Sequence, residues 1–259
     1  MNTNLNGKIV LVTGGAGNIG AVISKSFAKQ GAKVIIHYNK SKENAEKIAT
    51  KIKGTAIGAD LTNSAEAKEL FSKVIEREGR IDVCISNAGN YPKEFAPIWE
   101  IEEERWNHTI STNLSLTYNT AREFLKHASE TKKGALILIG STAGIYGEAG
   151  HADYAAAKGA ITSGLLKTLK NDAAQIGDEV RVNAVAPGWT VSEKRLEKGL
   201  DQKRVDRIVS TMSLKKLAKP EDVANSAIIL ASDLISGHTT GQVVEIAGGM
   251  EGRLVAGTK

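Results

Sequence analysis

Residues 8–20 read KIVLVTGGAGNIG, a short aliphatic run followed at once by a turn rich in glycine. The run is apolar without alternation, which is typical of a strand buried on both faces of a sheet. The glycines allow a tight turn, and a helix that begins near Asn18 would point its positive N-terminal end at a bound anion such as a pyrophosphate. A plain strand-to-helix turn can use the same residues, so the turn alone is weak evidence for such a site.

The same alternation of apolar runs and helical stretches continues along the chain. Strands are predicted at 8–12, 33–38, 55–59, 81–86, 135–140, 180–185 and 242–247, and helices at 18–30, 41–52, 64–79, 101–129, 152–176 and 220–232. Asn63 fits a helix N-cap, and Pro220 fits a first helical turn. The alternation predicts one α/β domain spanning 1–259, a Rossmann-type, doubly wound sheet of seven parallel strands with helices on both faces.

The composition is that of a globular protein and excludes several classes. Hydrophobic residues make up 41% and charged residues 24%, which excludes a disordered chain. The net charge of +5 comes without a nucleic-acid motif, so we expect no nucleic-acid partner. Cys84 has no disulfide partner, the five histidines show no metal-ligand spacing, and the apolar runs are far below the ~20 residues of a membrane helix. We expect a cytoplasmic protein without metal or membrane contact.

The end of the second strand bears on the choice of dinucleotide. Ligands of such sheets bind at the carboxyl ends of the strands, and proteins that bind NAD usually place an acid after the second one. This chain has no acid there before Glu43. Tyr38 takes that place, and Asn39, Lys40 and Ser41 offer donors and charge to a 2′-phosphate. We therefore expect NADP(H), with NAD(H) as the alternative; a solvated helix start would leave the choice open.

A tyrosine and a lysine suggest proton transfer. In HADYAAAKGA (151–160), Tyr154 and Lys158 are four residues apart in a segment of high helix propensity and therefore share one helix face. A nearby ammonium favours the phenolate, so we expect the lysine to lower the tyrosine pKa and make it a general acid–base. Ser141 follows the fifth strand and can hold a carbonyl oxygen. Packing of each residue alone is the plainer interpretation, and their joint placement at strand ends argues against it.

These segments resemble the short-chain dehydrogenase/reductase family over essentially the whole chain. TGGAGNIG (13–20) resembles its cofactor turn, and SNAG (86–89) resembles its NNAG segment. PGWT (187–190) resembles the segment beside the nicotinamide, and TGQVVEIAGGM (240–250) resembles the last strand. Their order along the chain makes the resemblance specific.

The family's catalytic tetrad has a counterpart at each position. Ser141, Tyr154 and Lys158 match its Ser…Tyr-x-x-x-Lys signature, and Asn113 matches its asparagine. The resemblance implies that Tyr154 exchanges a proton with the substrate oxygen while Ser141 holds that oxygen. It also implies that Lys158 binds the nicotinamide ribose and that Asn113 holds a water of the proton relay.

The resemblance and the strand ends together give a predicted set of contacts. The cofactor contacts are Gly14, Gly17, Asn18, Ile19, Gly20, Tyr38, Asn39, Lys40, Ser41, Asp60, Leu61, Asn87, Ala88, Gly89, Tyr154, Lys158, Pro187, Gly188 and Thr190. The substrate contacts are Ser141, Tyr154 and Trp189.

Two features depart from the commonest pattern of the family. Asn18 stands where TGxxxGxG would have glycine, and Gly17 supplies a glycine one residue earlier. Asparagine tolerates left-handed backbone, so the turn should survive. The turn also lacks the Arg or Lys that many NADP-using members carry at 15–17, which weakens the case for NADP(H).

Substrate selection is expected in a lid at 190–219. Residues 192–219 hold nine Lys and Arg against four Asp and Glu, which would attract an anionic substrate or an acidic carrier protein. Arg195, Lys215 and Lys216 are the strongest candidates for such a role, although a solvated helix whose charges face water is the plainer explanation of the charge.

Other residues are expected to be structural. We expect Trp99 and Trp106 to pack against the fold and Cys84 to be a small core residue. The resemblance implies a homotetramer, with the tail at 251–259 at a subunit interface.

The predicted function is NAD(P)-dependent interconversion of a carbonyl and a secondary alcohol, with a small-molecule substrate. Within that class, the chain is similar to 3-oxoacyl-carrier-protein reductases and to sugar dehydrogenases. A cofactor-binding regulator without turnover is an alternative of a different class, and the intact tetrad argues against it.

Overall fold

A computed structural model of the protein describes residues 2–192 and 199–250. Seven parallel strands form one sheet in the order β3-β2-β1-β4-β5-β6-β7. They are β1 Ile9–Val12, β2 Lys33–Tyr38, β3 Thr55–Gly58, β4 Val83–Ser86, β5 Lys133–Ile139, β6 Glu179–Pro187 and β7 Val243–Ile246. The predicted seven-stranded parallel sheet is confirmed.

Helices connect the strands. They are α1 Asn18–Lys29, α2 Lys42–Ile52, α3 Ser64–Glu78, α4 Glu103–Ile110, α5 Leu116–Thr131, α6 Ala143–Tyr146, α7 Ala152–Gly159, α8 Leu166–Ile176, α9 Gln202–Ser210, α10 Pro220–Ala231 and α11 Asp233–Ser236. The Asn63 side chain accepts hydrogen bonds from the N–H groups of Ala65 and Glu66, and Pro220 opens α10, so both predicted helix starts are confirmed.

Two apolar clusters, one on each face, hold the helices to the sheet. In β1, Val10 and Val12 join the cluster formed with α1, α2 and α10, whereas Ile9 and Leu11 join the cluster formed with α3, α5 and α8. This explains why β1 is apolar at every position, since its side chains alternate between two covered faces. Cys84 is fully buried in the second cluster, as predicted.

The order of the strands positions the site. From β1 the chain moves outward to β2 and β3 and then returns to place β4 on the other side of β1. A crevice opens at the carboxyl ends of the strands where this reversal occurs, and ligands of such sheets bind there.

Two long predicted helices are interrupted by wider π-helical turns. Ser111–Ser115 separates α4 from α5, and Ala160–Leu165 separates α7 from α8. Single π-helical turns within helices are frequent at functional sites. Both interruptions lie beside residues of the predicted tetrad, Asn113 in the first and Lys158 just before the second.

The structure corrects the prediction for one tryptophan. Trp99 does not pack against the fold: it is 82% exposed, in a short 3₁₀ turn of the connection between β4 and α4. Trp106, on α4, is half-buried. Nothing in the local sequence distinguishes an apolar residue in a projecting turn from one facing the core.

The predicted lid at 190–219 is described in part. Its middle part forms α9, which begins after Asp201, and the Asp201 side chain accepts a hydrogen bond from the Lys203 N–H. Arg195 and the tail at 251–259 lie outside the described residues. No helix among the residues that the structure describes is long and apolar enough to cross a membrane.

Candidate active site

One cavity of about 830 Å³ lies at the carboxyl ends of the strands, and every contact residue predicted from the sequence lines it. The glycine turn and the end of β2 line one half, and Ser141, Tyr154, Lys158 and Trp189 line the other. These residues come from loops that follow six different strands. The sheet therefore brings together side chains that are up to 176 positions apart, from Gly14 to Thr190.

The glycine turn is closed by contacts that only glycine permits. Gly14 has φ +60°, and a Cβ there would stand 3.0 Å from the Ala88 Cα. A Cβ on Gly20 would overlap the carbonyl oxygen of Gly14 and the side-chain amide of Asn87. That amide donates to the carbonyl oxygens of Thr13 and Gly14, at 2.9 and 3.2 Å. The SNAG segment (86–89) thus fixes the glycine turn through hydrogen bonds from Asn87 to its backbone.

The departure at Asn18 does not disturb the turn. Asn18 is the first residue of α1 and does not have the positive φ that left-handed backbone would require. Gly17 is the N-cap of α1 and contributes no side chain to cap it. The first residues of α1 line the cavity and no side chain caps the helix, which leaves the N–H groups of its first turn available to a phosphate.

Thr13 joins the two halves of the sheet beneath the turn. Its hydroxyl accepts the N–H groups of Asn87 and Ala88, at 2.9 and 3.0 Å, and donates to the carbonyl of Ile85 at 3.3 Å. The end of β1 is therefore fixed to the end of β4 at the point where the crevice opens.

The end of β2 offers a planar side chain and a charge to the cavity. The ring of Tyr38 lies over Gly58, where a Cβ would stand 2.9 Å from it. Lys40 is exposed beside it, and its charge adds to the hydrogen bonds from Thr62 that hold the pKa of Asp60 below its ordinary value. A half-buried tyrosine, an exposed lysine and an adjacent carboxylate form the wall at this end of the crevice.

The reactive side chains meet where β5 ends. Tyr154 and Lys158 project from α7, with the Lys158 Nζ 5.7 Å from the centre of the Tyr154 ring. The same Nζ donates to the carbonyl oxygen of Ile139 at 3.0 Å. Ser141 lies close enough to Tyr154 for a hydrogen bond between their hydroxyl groups.

The expected direction of the tyrosine pKa shift is wrong for this structure. Burial raises the pKa of Tyr154 to about 12; the hydrogen bond with Ser141 opposes this increase, and the charge of Glu148 adds to it. Burial also lowers the pKa of Lys158 to about 8. The lysine directs its ammonium at a carbonyl oxygen, so desolvation outweighs the attraction that residue spacing alone suggested.

Asn113 is fully buried and fixes the segment after β4. Its amide donates to the carbonyl oxygens of Asn90 and Thr109, at 2.8 and 3.0 Å, and its oxygen faces the Asn90 N–H at 3.3 Å. A Cβ on Gly89 would contact both the Asn113 oxygen and the Lys158 Nζ. The tetrad residues therefore surround one point of the cavity.

Sequence reasoning missed an aromatic wall. Tyr91 stacks on His151 at 4.7 Å, meets the Tyr154 ring edge-on at 5.0 Å, and donates to the Glu148 carboxylate at 2.6 Å. Tyr91 and Glu148 both line the cavity. The only available signal was their position, directly after the SNAG segment and between Ser141 and Tyr154.

The lid residues divide between two cavities. Trp189 lines the main cavity and also a side cavity of about 330 Å³, which Arg207 lines as well. Lys215 lines neither; its Nζ donates to the carbonyl of Ser210 at 2.9 Å. Of these two described lid cations, Arg207 lines a cavity that shares Trp189 with the main one, and Lys215 does not.

In the parts of the chain that the structure describes, no group of three or more His, Cys, Asp or Glu side chains could hold a metal ion.

A glycine turn at a helix N-terminus, a crevice at the strand reversal and a Ser-Tyr-Lys cluster define a dinucleotide-dependent oxidoreductase. Comparison with known proteins agrees. A sequence model of the family described as enoyl-(acyl carrier protein) reductase matches residues 14–251. The chain belongs to the short-chain dehydrogenase/reductase family, and it is an NAD(P)-dependent oxidoreductase that acts on a CH–OH group.

Curated relatives resemble the chain over nearly its full length. The 3-oxoacyl-[acyl-carrier-protein] reductase FabG of Thermotoga maritima is 35% identical over 251 residues, which cover 95% of this chain and 98% of the relative. FabG of Staphylococcus epidermidis is 33% identical over 94% of this chain and 98% of the relative. FabG of Escherichia coli is 31% identical over 95% of this chain and 98% of the relative.

Proposed function

We propose that this protein binds NADP(H) along the crevice and reduces the carbonyl group of a small molecule, with Tyr154 as the proton donor. The observation that carries the proposal is the convergence of Ser141, Tyr154 and Lys158 in the same cavity as the glycine turn. The residues fit a dinucleotide, because the turn excludes side chains at Gly14 and Gly20 and leaves helix N–H groups facing the cavity.

The tetrad would divide the work of proton transfer. Bound NADPH would supply a hydride to the carbonyl carbon. Ser141 and Tyr154 hold the carbonyl oxygen, and the Tyr154 hydroxyl proton passes to it as the C=O bond becomes C–O–H. The phenolate that remains is stabilised by the Lys158 ammonium and the Ser141 hydroxyl. A tyrosine with a pKa of about 12 is protonated at neutral pH and is therefore ready to act in the direction of reduction.

The wall formed by Tyr38 and Lys40 supports NADP(H) over NAD(H). Tyr38 stands where an NAD-binding protein has an acid, and the charge of Lys40 would attract a 2′-phosphate. We expect Lys40→Ala to weaken the binding of NADPH by about tenfold and the binding of NADH by less, since one charge-assisted contact to the 2′-phosphate is lost. Lys42→Ala is the matched control: Lys42 is exposed, pairs with Glu46 and does not line the cavity. Equal losses for both cofactors would contradict the assignment.

A panel assay tests the reaction itself. Nicotinamide absorbance is followed with 3-oxoacyl thioesters, aldoses, polyols and small diketones, with each cofactor in turn. Consumption of NADPH with any neutral ketone supports the proposed reaction. Dinucleotide binding without turnover of any member of the panel would favour the regulator instead.

Reduction of 3-oxoacyl groups on a carrier protein is the second candidate. It is supported by the similarity to 3-oxoacyl-[acyl-carrier-protein] reductases and by Arg207, whose positive charge at the side cavity would attract an anionic substrate. Arg207→Ala would then raise KM for an acyl-carrier-protein substrate and leave KM for a neutral ketone unchanged. Equal changes for both substrates would remove this candidate.

The remaining expectations are also proposals. We propose a single functional unit over 1–259, a lid at 190–219, a homotetramer and a cytoplasmic location, where both dinucleotides are available. Exposed Tyr118 on α5 offers an apolar surface for assembly. Light scattering coupled to gel filtration measures the assembly directly.

A further inference from the structure

His37 is a buried histidine of the crevice to which the family resemblance assigns no role. It is the fifth residue of β2 and is 2% exposed. Its Nδ1 lies 3.1 Å from the Gly14 nitrogen, and its Nε2 lies 2.9 Å from the Ala59 carbonyl oxygen. Its main-chain oxygen also accepts the Gly15 N–H at 3.0 Å. One residue therefore ties the glycine turn to the loop that carries Asp60.

These two contacts determine the form of the ring. The backbone N–H of Gly14 can only donate, so Nδ1 must offer its lone pair. The Ala59 carbonyl can only accept, so Nε2 must carry the hydrogen. Only the neutral Nε2–H tautomer satisfies both partners. The imidazolium would place an N–H group against the N–H of Gly14 and lose that bond.

The bond to Gly14 acts where the turn has least freedom. Gly14 has φ +60°, and a Cβ added to it would stand 3.0 Å from the Ala88 Cα and 3.2 Å from the Asn87 side-chain nitrogen, so the turn has little room to move on that side. Its carbonyl accepts from Gly17, the N-cap of α1, at 3.0 Å. A shift of the Gly14 N–H toward or away from His37 would move the first turn of α1, which we propose holds the pyrophosphate.

We infer that His37 is a positioning residue for dinucleotide binding, which sets the glycine turn through its neutral Nε2–H tautomer and releases the turn when it is protonated. This inference rests on the dinucleotide site proposed above. It adds a pH dependence of cofactor affinity that originates in the β2 strand, outside the tetrad.

The surroundings of His37 favour the neutral ring. Burial lowers its pKa, while the hydrogen bond with Ala59 and the charge of Asp60 oppose this decrease. Asp60, on the loop after β3, is the ionisable group that acts on it; β1, β3 and the glycine turn contribute only uncharged residues. Because the folded-state pKa lies below the ordinary value of 6.5, the ring is still neutral and the glycine turn intact at pH 6.5, and the turn is released only as pH falls through that lower folded-state pKa.

Two substitutions separate the two contacts. In His37→Asn, the side-chain oxygen can take the place of Nδ1 and accept from Gly14 without titrating. In His37→Gln, the amide can take the place of Nε2 and donate to Ala59, but Gly14 loses its acceptor. The matched control is His127→Asn, because His127 is also buried and accepts a backbone N–H, that of Ile81 at 3.0 Å, at the opposite end of the sheet.

The experiment measures dissociation constants of NADPH and NADH for the full-length chain between pH 8 and pH 5.5. NADH is included because the 2′-phosphate of NADPH titrates near pH 6. At pH 8 we expect His37→Gln to bind about tenfold more weakly than wild type and His37→Asn to stay near wild type, as expected for one hydrogen bond. As pH falls, wild type and His127→Asn should lose affinity more steeply than His37→Asn.

Three outcomes would overturn the inference. The first is that the dissociation constants of wild type and His37→Asn depend on pH in the same way. The second is that His37→Gln binds the cofactors as tightly as wild type at pH 8. The third is that His127→Asn loses as much cofactor affinity as His37→Gln. If the variants fail to fold, ¹⁵N spectra of the wild-type imidazole decide: an Nδ1–H tautomer above pH 7, or a Gly14 amide signal that does not follow the His37 titration, contradicts it. The spectra need no cofactor, so they remain informative if dinucleotide binding itself fails.

Discussion

The two ends of the sheet use polar residues in opposite ways. At the amino end, charged side chains satisfy one another: Asp82 binds Arg80 at 3.0 Å and accepts the Ile9 N–H at 2.7 Å, and buried Arg181 binds Asp233 at 3.1 Å. At the carboxyl end, Lys158 is buried with a carbonyl partner and belongs to none of the ion pairs in the described part of the chain. The amino end thus pairs these charges with one another, whereas the carboxyl end leaves a buried ammonium without a carboxylate partner.

Two buried histidines show the same contrast. His37 and His127 each accept a backbone N–H, at opposite ends of the sheet. The second nitrogen of His37 has a carbonyl partner in the crevice wall, whereas the second nitrogen of His127 is buried without one. A histidine that accepts a backbone N–H therefore fixes the glycine turn at one end of the sheet and a segment outside the crevice at the other.

Tyr154→Phe should have the largest effect on activity at the carboxyl end. Loss of the hydroxyl that we propose delivers the proton is expected to lower kcat by about 10²–10⁴-fold. The NADPH dissociation constant should stay near that of wild type, because the ring and its edge-on contact with Tyr91 remain. Steady-state rates and a binding titration measure the two effects separately. Full activity in this variant would disprove the proton-transfer assignment.

Arg105→Met tests a buried ion pair that supports the reactive helix. Asp153, which precedes Tyr154, is fully buried and binds Arg105 at 3.0 Å and the Thr109 hydroxyl at 2.8 Å. Removing the guanidinium leaves a buried carboxylate unpaired, so the free energy of unfolding should fall by about 3–5 kcal/mol. Urea unfolding measures this loss.

Arg122→Met is the control for that substitution. Arg122 pairs with Glu123 at 3.4 Å and is half-exposed, so its loss should change the free energy of unfolding by about 0–1 kcal/mol. Equal losses in the two variants would show that the pair at Asp153 has no special role.

Asp82→Asn should separate stability from activity at the amino end. The substitution weakens the acceptor of the Ile9 N–H and removes the charge that pairs with Arg80. We expect the free energy of unfolding to fall by about 1–3 kcal/mol, with kcat/KM within about twofold of wild type. A fall in kcat/KM comparable to that of Tyr154→Phe would contradict the division between the two ends.

The pH dependence set by Lys158 is the subtlest expected difference. Its folded-state pKa of about 8 lies below the ordinary value of 10.5, so carbonyl reduction should slow as pH rises through 8 and the ammonium is lost. Between those values the unfolded chain binds one proton more than the folded chain, so this residue makes the free energy of unfolding rise with pH. Urea unfolding at pH 8, 9 and 10 should show that the free energy of unfolding rises less with pH in Lys158→Met than in wild type. The same rise in both proteins would contradict a lowered pKa of Lys158.

The sequence was informative wherever one residue's position along a strand decides its role. The glycine turn, Tyr38 and Ser141 all follow buried strands, and parallel strands bring their carboxyl ends to one edge. The sequence did not show how deeply a side chain is buried or in which direction it points. The spacing of Tyr154 and Lys158 predicts a shared helix face, but it does not reveal that the ammonium turns to the Ile139 carbonyl or that burial raises the tyrosine pKa.

The rest depended on contacts between distant segments. Tyr91 meets Tyr154 and Glu148 only because the connection after β4 folds over α7, and no periodicity signals that approach. The π-helical turn at Asn113 was hidden within one continuous amphipathic pattern. Trp99 shows the converse error, since a large apolar residue suggested packing that the projecting turn does not provide.

The Thr13 hydroxyl limits how this scaffold can be redesigned. Both of its lone pairs and its hydrogen are already engaged, by Asn87, Ala88 and Ile85, so serine is the substitution that preserves all three. A library that aims at new substrates would do well to keep this position constant and to vary the exposed connection after β4 and the helix that carries Arg207. Substitutions in those two segments would change which substrates the crevice can bind and would leave the hydrogen bonds of Thr13 intact.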